Sequence, residues 1–166
     1  MTDVDARWGG KHGTPMFGYK AHAAVDNKNK IIRHIETTPA NVHDSKAYGS
    51  LLKGDKNSSK VVWADSGYVG SGDPLPEGYR EHICSKGFRD KPLSEFQKNC
   101  NRRKSKVHCR VEHVFGQLKN VMNLFIRTIG LKRTEAKVKM VALCYNMTRL
   151  ATLTRIKLRE KRTLAA

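Results

Sequence analysis

Two acidic residues stand where carboxylates do chemistry. Lys60-Val61-Val62-Trp63-Ala64 is a short, nearly all-apolar run, which predicts a strand buried on both faces. It ends on Asp65, followed by Ser66-Gly67-Tyr68. A carboxylate at the end of such a strand points off the edge of a sheet, where α/β sheets hold ligands. The same residues equally describe a turn aspartate bonded to its own backbone. Glu112 belongs to a run in which Val107, Val111, Val114, Phe115, Leu118, Met122 and Phe125 recur at helical spacing. At about 100° per residue, Lys119, His108 and Gly116 fall within about 40° of Glu112, at the border of the apolar face. A glycine inside a helix costs about 1 kcal/mol relative to alanine. Gly116 therefore invites a reason, and open space beside the glutamate is one. An ordinary boundary glutamate beside an incidental glycine fits these residues at least as well.

The other reactive side chains read as structural. His12, His22, His34, His43, His82 and His113 show no metal-ligand spacing and are assigned to hydrogen bonding or the surface. Cys84, Cys100, Cys109 and Cys144 form no C-x-x-C pair, so free thiols are expected. Asp26 reads as a hairpin aspartate, Asp44 as a helix cap and Trp63 as core.

The elements that must position Asp65 and Glu112 come in a simple order. Residues 1–16, with turn signals at Gly9-Gly10 and Gly13-Thr14-Pro15, read as an irregular lead-in. Phe17 to Val25 predicts a strand, Asp26-Asn27-Lys28-Asn29 a turn, and Ile31 to Thr37 a second strand, together an antiparallel hairpin. In the second strand Ile31, Ile35 and Thr37 share one face and Ile32 takes the other. Asp44 or Ser45 is expected to cap a short helix to Leu52, followed by a loop over Lys53 to Ser59. Residues 69–79, rich in Gly and Pro, predict a second loop, and His82 to Ser85 one more strand. Helices are expected around Leu93 to Asn101, through Val107 to Phe125, and from Thr134 to Ile156. The last shows Ala136, Met140, Leu143, Cys144, Met147, Leu150 and Ala151 on one stripe and ends in a basic, fraying tail from Lys157 to Arg162. Strands first and helices after predict an α/β or α+β layer fold.

Composition bounds the function. The 166 residues suffice for one domain with a core, and no run approaches the roughly 18 apolar residues that span a bilayer. The first residues resemble no secretion signal, so a cytoplasmic protein with no membrane partner is expected. The formal net charge is +17. Residues 1–65 carry ten Lys and Arg against seven Asp and Glu; the remainder carry 22 against eight. An asymmetry of that size attracts polyanions, of which nucleic acid is the common one. Charge alone separates neither DNA from RNA nor a binder from an enzyme.

Five strings in order narrow this. Phe17-Gly18-Tyr19-Lys20-Ala21-His22, Val25-Asp26, Pro39-Ala40-Asn41-Val42-His43-Asp44, Ala64-Asp65-Ser66-Gly67-Tyr68 and Arg110-Val111-Glu112-His113-Val114-Phe115-Gly116-Gln117-Leu118-Lys119 together resemble the DDE transposases of the "insertion sequence five" group. The resemblance runs roughly from Asp3 to Leu150. It implies an RNase H-like mixed sheet flanked by helices, with residues 1–130 a partial catalytic domain and 131–166 a basic helix packed on it. It implies that Asp65 and Glu112 are catalytic carboxylates that bind metal. The related signature Tyr-x2-Arg-x3-Glu-x6-Lys matches at Lys119, while His108 and Ser105 take its arginine and tyrosine positions. Lys119, His108 and Arg110 become the candidate DNA contacts.

By the same resemblance, a first catalytic aspartate belongs on a strand ahead of Phe17 that this sequence does not include. That strand is expected to be central, between the Phe17–Val25 and Val61–Ala64 strands. Asp3 and Asp5 make no convincing substitutes. The implied cofactor is Mg2+ or Mn2+ in a two-ion site, with ions about 3.5–4 Å apart, incomplete here. The implied activity is DNA cleavage and strand transfer at insertion-sequence ends. Its partners would be transposon-end and target DNA, an upstream-encoded transposase segment and further copies in a homo-oligomer. The chain alone is expected to be inactive and marginally stable. A non-catalytic DNA-binding fragment that competes with the full transposase is the alternative, and a nuclease of the same fold a second.

Overall fold

The Gly-rich lead-in forms a strand. In the computed structural model, which describes residues 3–11, 14–53, 60–70 and 77–164, β1 (Arg7–Lys11) runs antiparallel to β2 (Thr14–Val25). The assignments made for His12 and Gly13, most of the loop at Lys53–Ser59 and part of the loop at 69–79 lie outside the described residues. Gly9 explains why the lead-in is ordered: a Cβ there would overlap the carbonyl oxygen of Ala40. Only a residue without a side chain lets the two backbones meet so closely.

β2 also pairs antiparallel with β3 (Ile32–Pro39), giving a three-stranded sheet in the order β1-β2-β3. The register shifts between Ala24 and Val25, from Ala24 opposite His34 to Val25 opposite Ile32. This irregularity corrects the expected facing of β3. Ile32 and Ile35, three apart, are both buried, together with Thr37, while Ile31 is half-buried.

After β3 comes a 3-10 turn over Asp44–Ala47 and the one-turn helix α1 (Tyr48–Leu52). Its cap is not Asp44 or Ser45 but His43, whose ring nitrogen accepts from the Ser45 N–H. β4 (Val61–Ala64) lies parallel to β5 (Arg80–Ile83) in a separate two-stranded sheet. Ala64 is buried, but Val61, Val62 and Trp63 are only half-buried, so β4 is not covered on both faces. Trp63 is not core; it stacks on the His82 ring at 4.3 Å.

The two helices expected across Leu93–Phe125 are one. α2 (Glu95–Asn120) opens on a capping box in which Ser94 and Gln97 satisfy each other's backbone N–H. Phe125 lies past its end and is exposed. α3 (Leu131–Leu164) continues beyond Ile156 as helix. Its orientation corrects the sequence reading. The buried residues are Thr134, Val138, Ala142 and Tyr145, whereas Met140, Leu143, Met147 and Leu150 are each at least 60% exposed. Polar anchors chose the face. The Asn146 amide brackets the backbone N–H and C=O of Ile32 at 2.9 and 2.8 Å, and the Tyr145 hydroxyl donates to the Lys30 carbonyl at 2.8 Å.

Two separate cores result. The larger joins Ile32 and Ile35 of β3, Val114 and Leu118 of α2, and Val138, Ala142 and Tyr145 of α3. The smaller contains only Tyr48, Leu52 and Ala64 as buried members. The architecture is mixed α and β, as the α/β or α+β expectation required. Among the described residues no helix is long and apolar enough to cross a membrane.

Candidate active site

Between the two sheets lies a cleft of about 1280 Å³. Its walls are the second half of β2 and all of β4; one side of α2 closes it. Asp65, Glu112, Lys119, His108 and Arg110, the five residues singled out from sequence, all line it.

Asp65 follows the last residue of β4 and satisfies both sequence readings at once. One carboxylate oxygen accepts from the Ser66 N–H at 2.6 Å, capping the 3-10 turn Ser66–Tyr68, and the residue also fronts the cleft. The turn holds the carboxylate in place. Glu112 is exposed on α2, four residues before Gly116. A Cβ at Gly116 would touch nothing, so no packing demand requires the glycine and the space beside Glu112 is open. Lys119 is exposed one further turn along.

The other two candidates are partly engaged. The Arg110 guanidinium donates to the Asn27 carbonyl and side chain at 2.6 and 2.9 Å, which ties α2 to the β2–β3 turn. His108 is half-buried, and its Nδ1 is buried with no hydrogen-bond partner among the described residues.

Sequence reasoning missed a second shell of groups. Asp44 lines the cleft and forms an ion pair with Lys20 at 3.2 Å. A Cβ on Gly67 would stand 3.4 Å from the Asp44 carboxylate, so Asp44 packs against the turn that Asp65 caps. Tyr68 in that turn has its hydroxyl pushed up to about 12 by burial and by the charges of Asp44 and Asp65. The helix-cap reading of Asp44 hid this, because caps are local and this ion pair spans 24 residues.

Asp3 and Asp5 are occupied elsewhere. Asp3 accepts from the Gly130 N–H at 3.0 Å and from the Tyr19 hydroxyl at 2.8 Å; Asp5 accepts from the Leu131 N–H at 3.0 Å. Both carboxylates thus cap the N-terminus of α3 from a distant segment, a favourable place for negative charge. The Gly130 N–H is the main cause holding the Asp3 carboxyl below its usual range.

Among the described residues no group of three or more His, Cys, Asp or Glu side chains is arranged to hold a metal ion. The free thiols agree with the sequence reading: Cys84 is buried and Cys144 exposed, with no disulfide.

Comparison with known proteins gives this site its context. The family model described as Transposase DDE domain matches residues 2–147. The transposase for insertion sequence element IS1106 of Neisseria meningitidis serogroup B is 33% identical over 156 residues, covering 90% of this chain and 52% of that protein. The chain therefore spans about half the length of this curated relative. No solved structure matches it. With most of its length inside the matched region, the chain belongs to the DDE transposase domain family.

Proposed function

We propose that this chain is the part of an insertion-sequence transposase that carries two carboxylates of its metal site and much of its DNA-binding charge. The fold it supplies would be one face of an RNase H-like layer. The observation that carries the reading is that Asp65 and Glu112, from a strand end and a helix, line one cleft together with Lys119, His108 and Arg110. Transposases act on DNA, and a basic wall beside paired carboxylates suits a phosphodiester backbone.

Asp65 and Glu112 offer the hard oxygen ligands that Mg2+ and Mn2+ prefer. Two ions need a third, bridging carboxylate, and the described residues do not assemble such a group. The two-ion site is thus not complete within this chain, and no reaction step is assigned to it. Lys119, exposed beside Glu112, is the residue placed to meet a phosphate. Arg110 contributes charge while it holds the Asn27 turn.

Calorimetric titration of the chain with Mn2+ tests the reading. Weak binding is expected, lost in both Asp65→Asn and Glu112→Gln. Binding that survives either substitution removes the shared site. The incomplete ligand set favours a second reading, a DNA-binding fragment without catalysis. Salt-dependent DNA binding with no Mn2+ affinity selects it.

A further inference from the structure

We infer that the cleft is a slot for one extended β-strand, supplied by transposase polypeptide other than residues 3–164. Tyr19 through Lys28 and Val61 through Asp65 border the cleft without a gap in either run. Side chains alternate across a strand, so a hollow against one face would meet every second residue. Unbroken runs mean that the cleft lies along the edges of β2 and β4.

Those edges carry unpaired backbone groups. The Gly18 carbonyl accepts from the Ala40 N–H at 2.9 Å, and the Asp26 N–H donates to the Ile31 carbonyl at 2.8 Å. Bonded pairs alternate in an antiparallel ladder, so Lys20, His22 and Ala24 turn their backbone groups toward β3. Tyr19, Ala21 and Ala23 turn theirs away. In β4 the carbonyls of Lys60 and Ala64 accept from Arg80 and Cys84, which leaves Val61 and Trp63 facing away from β5. No strand pairs with either row among the described residues. Both rows front one cleft.

The surroundings specify the occupant. Ala21, Ala23 and Phe115 at the margin of the larger core and Val62 and Ala64 of the smaller one all line the slot. An apolar strand between them would join two cores into one and close two open edges, as in strand addition to an exposed sheet. The unpartnered Nδ1 of His108 also sits in the cleft wall. A second copy of this chain is disfavoured by its net charge of +17. The meningococcal relative is about twice as long as the matched region, so such proteins contain further polypeptide that could supply the strand. Asp3, bonded to the Tyr19 hydroxyl, lies at the mouth of the slot. Polypeptide joined ahead of it would enter there. The inference rests on the proposed function only in taking the strand from a transposase.

The test is amide hydrogen exchange on the whole chain, mixed in turn with overlapping synthetic peptides of about ten residues, a strand's length. The peptides tile the part of the meningococcal IS1106 transposase outside the match. One peptide is expected to slow exchange at Ala21, Ala23, Val61 and Trp63 together, by about tenfold or more. Ala23→Pro, which removes an open-edge donor and leaves the β3 ladder intact, should abolish that protection while circular dichroism stays unchanged. Asp65→Asn should bind the peptide normally, so a failure of the metal reading leaves this result standing. Protection by no peptide, protection only outside the two edges, or protection of the same amides by self-association without peptide overturns the proposal.

Discussion

The two half-sheets are stabilised very unequally. The β1-β2-β3 sheet shares a core with both long helices, and Leu118 and Val114 there are 0% and 1% exposed. The β4-β5 sheet has two four-residue strands and a cluster with three buried members. Polar clasps to α2 supplement it: Asn101 brackets Ser85 at 2.9 Å on both sides, and Lys104 donates to the Ile83 carbonyl. Glu112 rides on the strong half and Asp65 on the weak one. The geometry of the site is therefore only as firm as the docking of β4-β5. A strand in the slot would bind the halves together.

The sharpest way to break this contrast is to cut into each core. Leu118→Ala should cost about 2–5 kcal/mol in chemical denaturation, the range for a buried leucine. Leu52→Ala should lower global stability less, but should raise hydrogen exchange at β4 and β5 selectively. Equal global losses would show that the halves unfold as one.

Gly9→Ala probes the joint between the lead-in and the end of β3. The new methyl would overlap the Ala40 carbonyl, a cost of about 1–3 kcal/mol for forced repacking. Thermal unfolding measures it, and an unchanged midpoint would remove Gly9 from the explanation of β1.

A smaller effect should follow pH. His22 is 4% exposed, bonded to Thr38 at 2.9 Å, and burial holds its imidazole below the ordinary value of 6.5. Asp44 and Glu36 oppose that shift and Lys20 adds to it. A depressed histidine disfavours protonation in the folded state, so its contribution is present above pH 6.5 and lost as pH falls through the lower folded value. Stability should decline on acidification across that window, and His22→Gln should flatten the decline. The smallest change belongs to the site itself. Asp65 and Glu112 are exposed, so Asp65→Asn and Glu112→Gln should each shift stability by no more than about 0.5 kcal/mol. Neutralising Lys119 should lower the slope of DNA affinity against salt by about 1.

Much of the site was legible because its signals are local. An apolar run ending in Asp65 and a helical stripe bordered by Glu112 need no knowledge of tertiary contacts, and both residues line the cleft. The fold was legible as strands followed by helices. What stayed hidden depends on partners far along the chain. α3 carries two faces able to pack, and the apolar stripe of Met140, Leu143, Met147 and Leu150 outweighs Thr134, Val138 and Ala142 in hydropathy. The Asn146 and Tyr145 anchors to the β2–β3 hairpin decide between them, across more than 110 positions. The strand at Arg7–Lys11 was hidden by glycines that signal turns but here permit close approach. The Ser94–Gln97 capping box was a local signal left unread, and it would have marked the true start of α2.

The central claim is that a strand-end aspartate on the weak half and a helix glutamate on the strong half serve one metal site. Mn2+ broadens the resonances of nearby amides, so substoichiometric titration of the isotopically labelled chain tests it most directly. The account predicts that amides at Asp65–Tyr68 and at His108–Gly116 broaden together, with the same dependence on Mn2+ concentration. Broadening of one segment alone, or of the two with different midpoints, would contradict it.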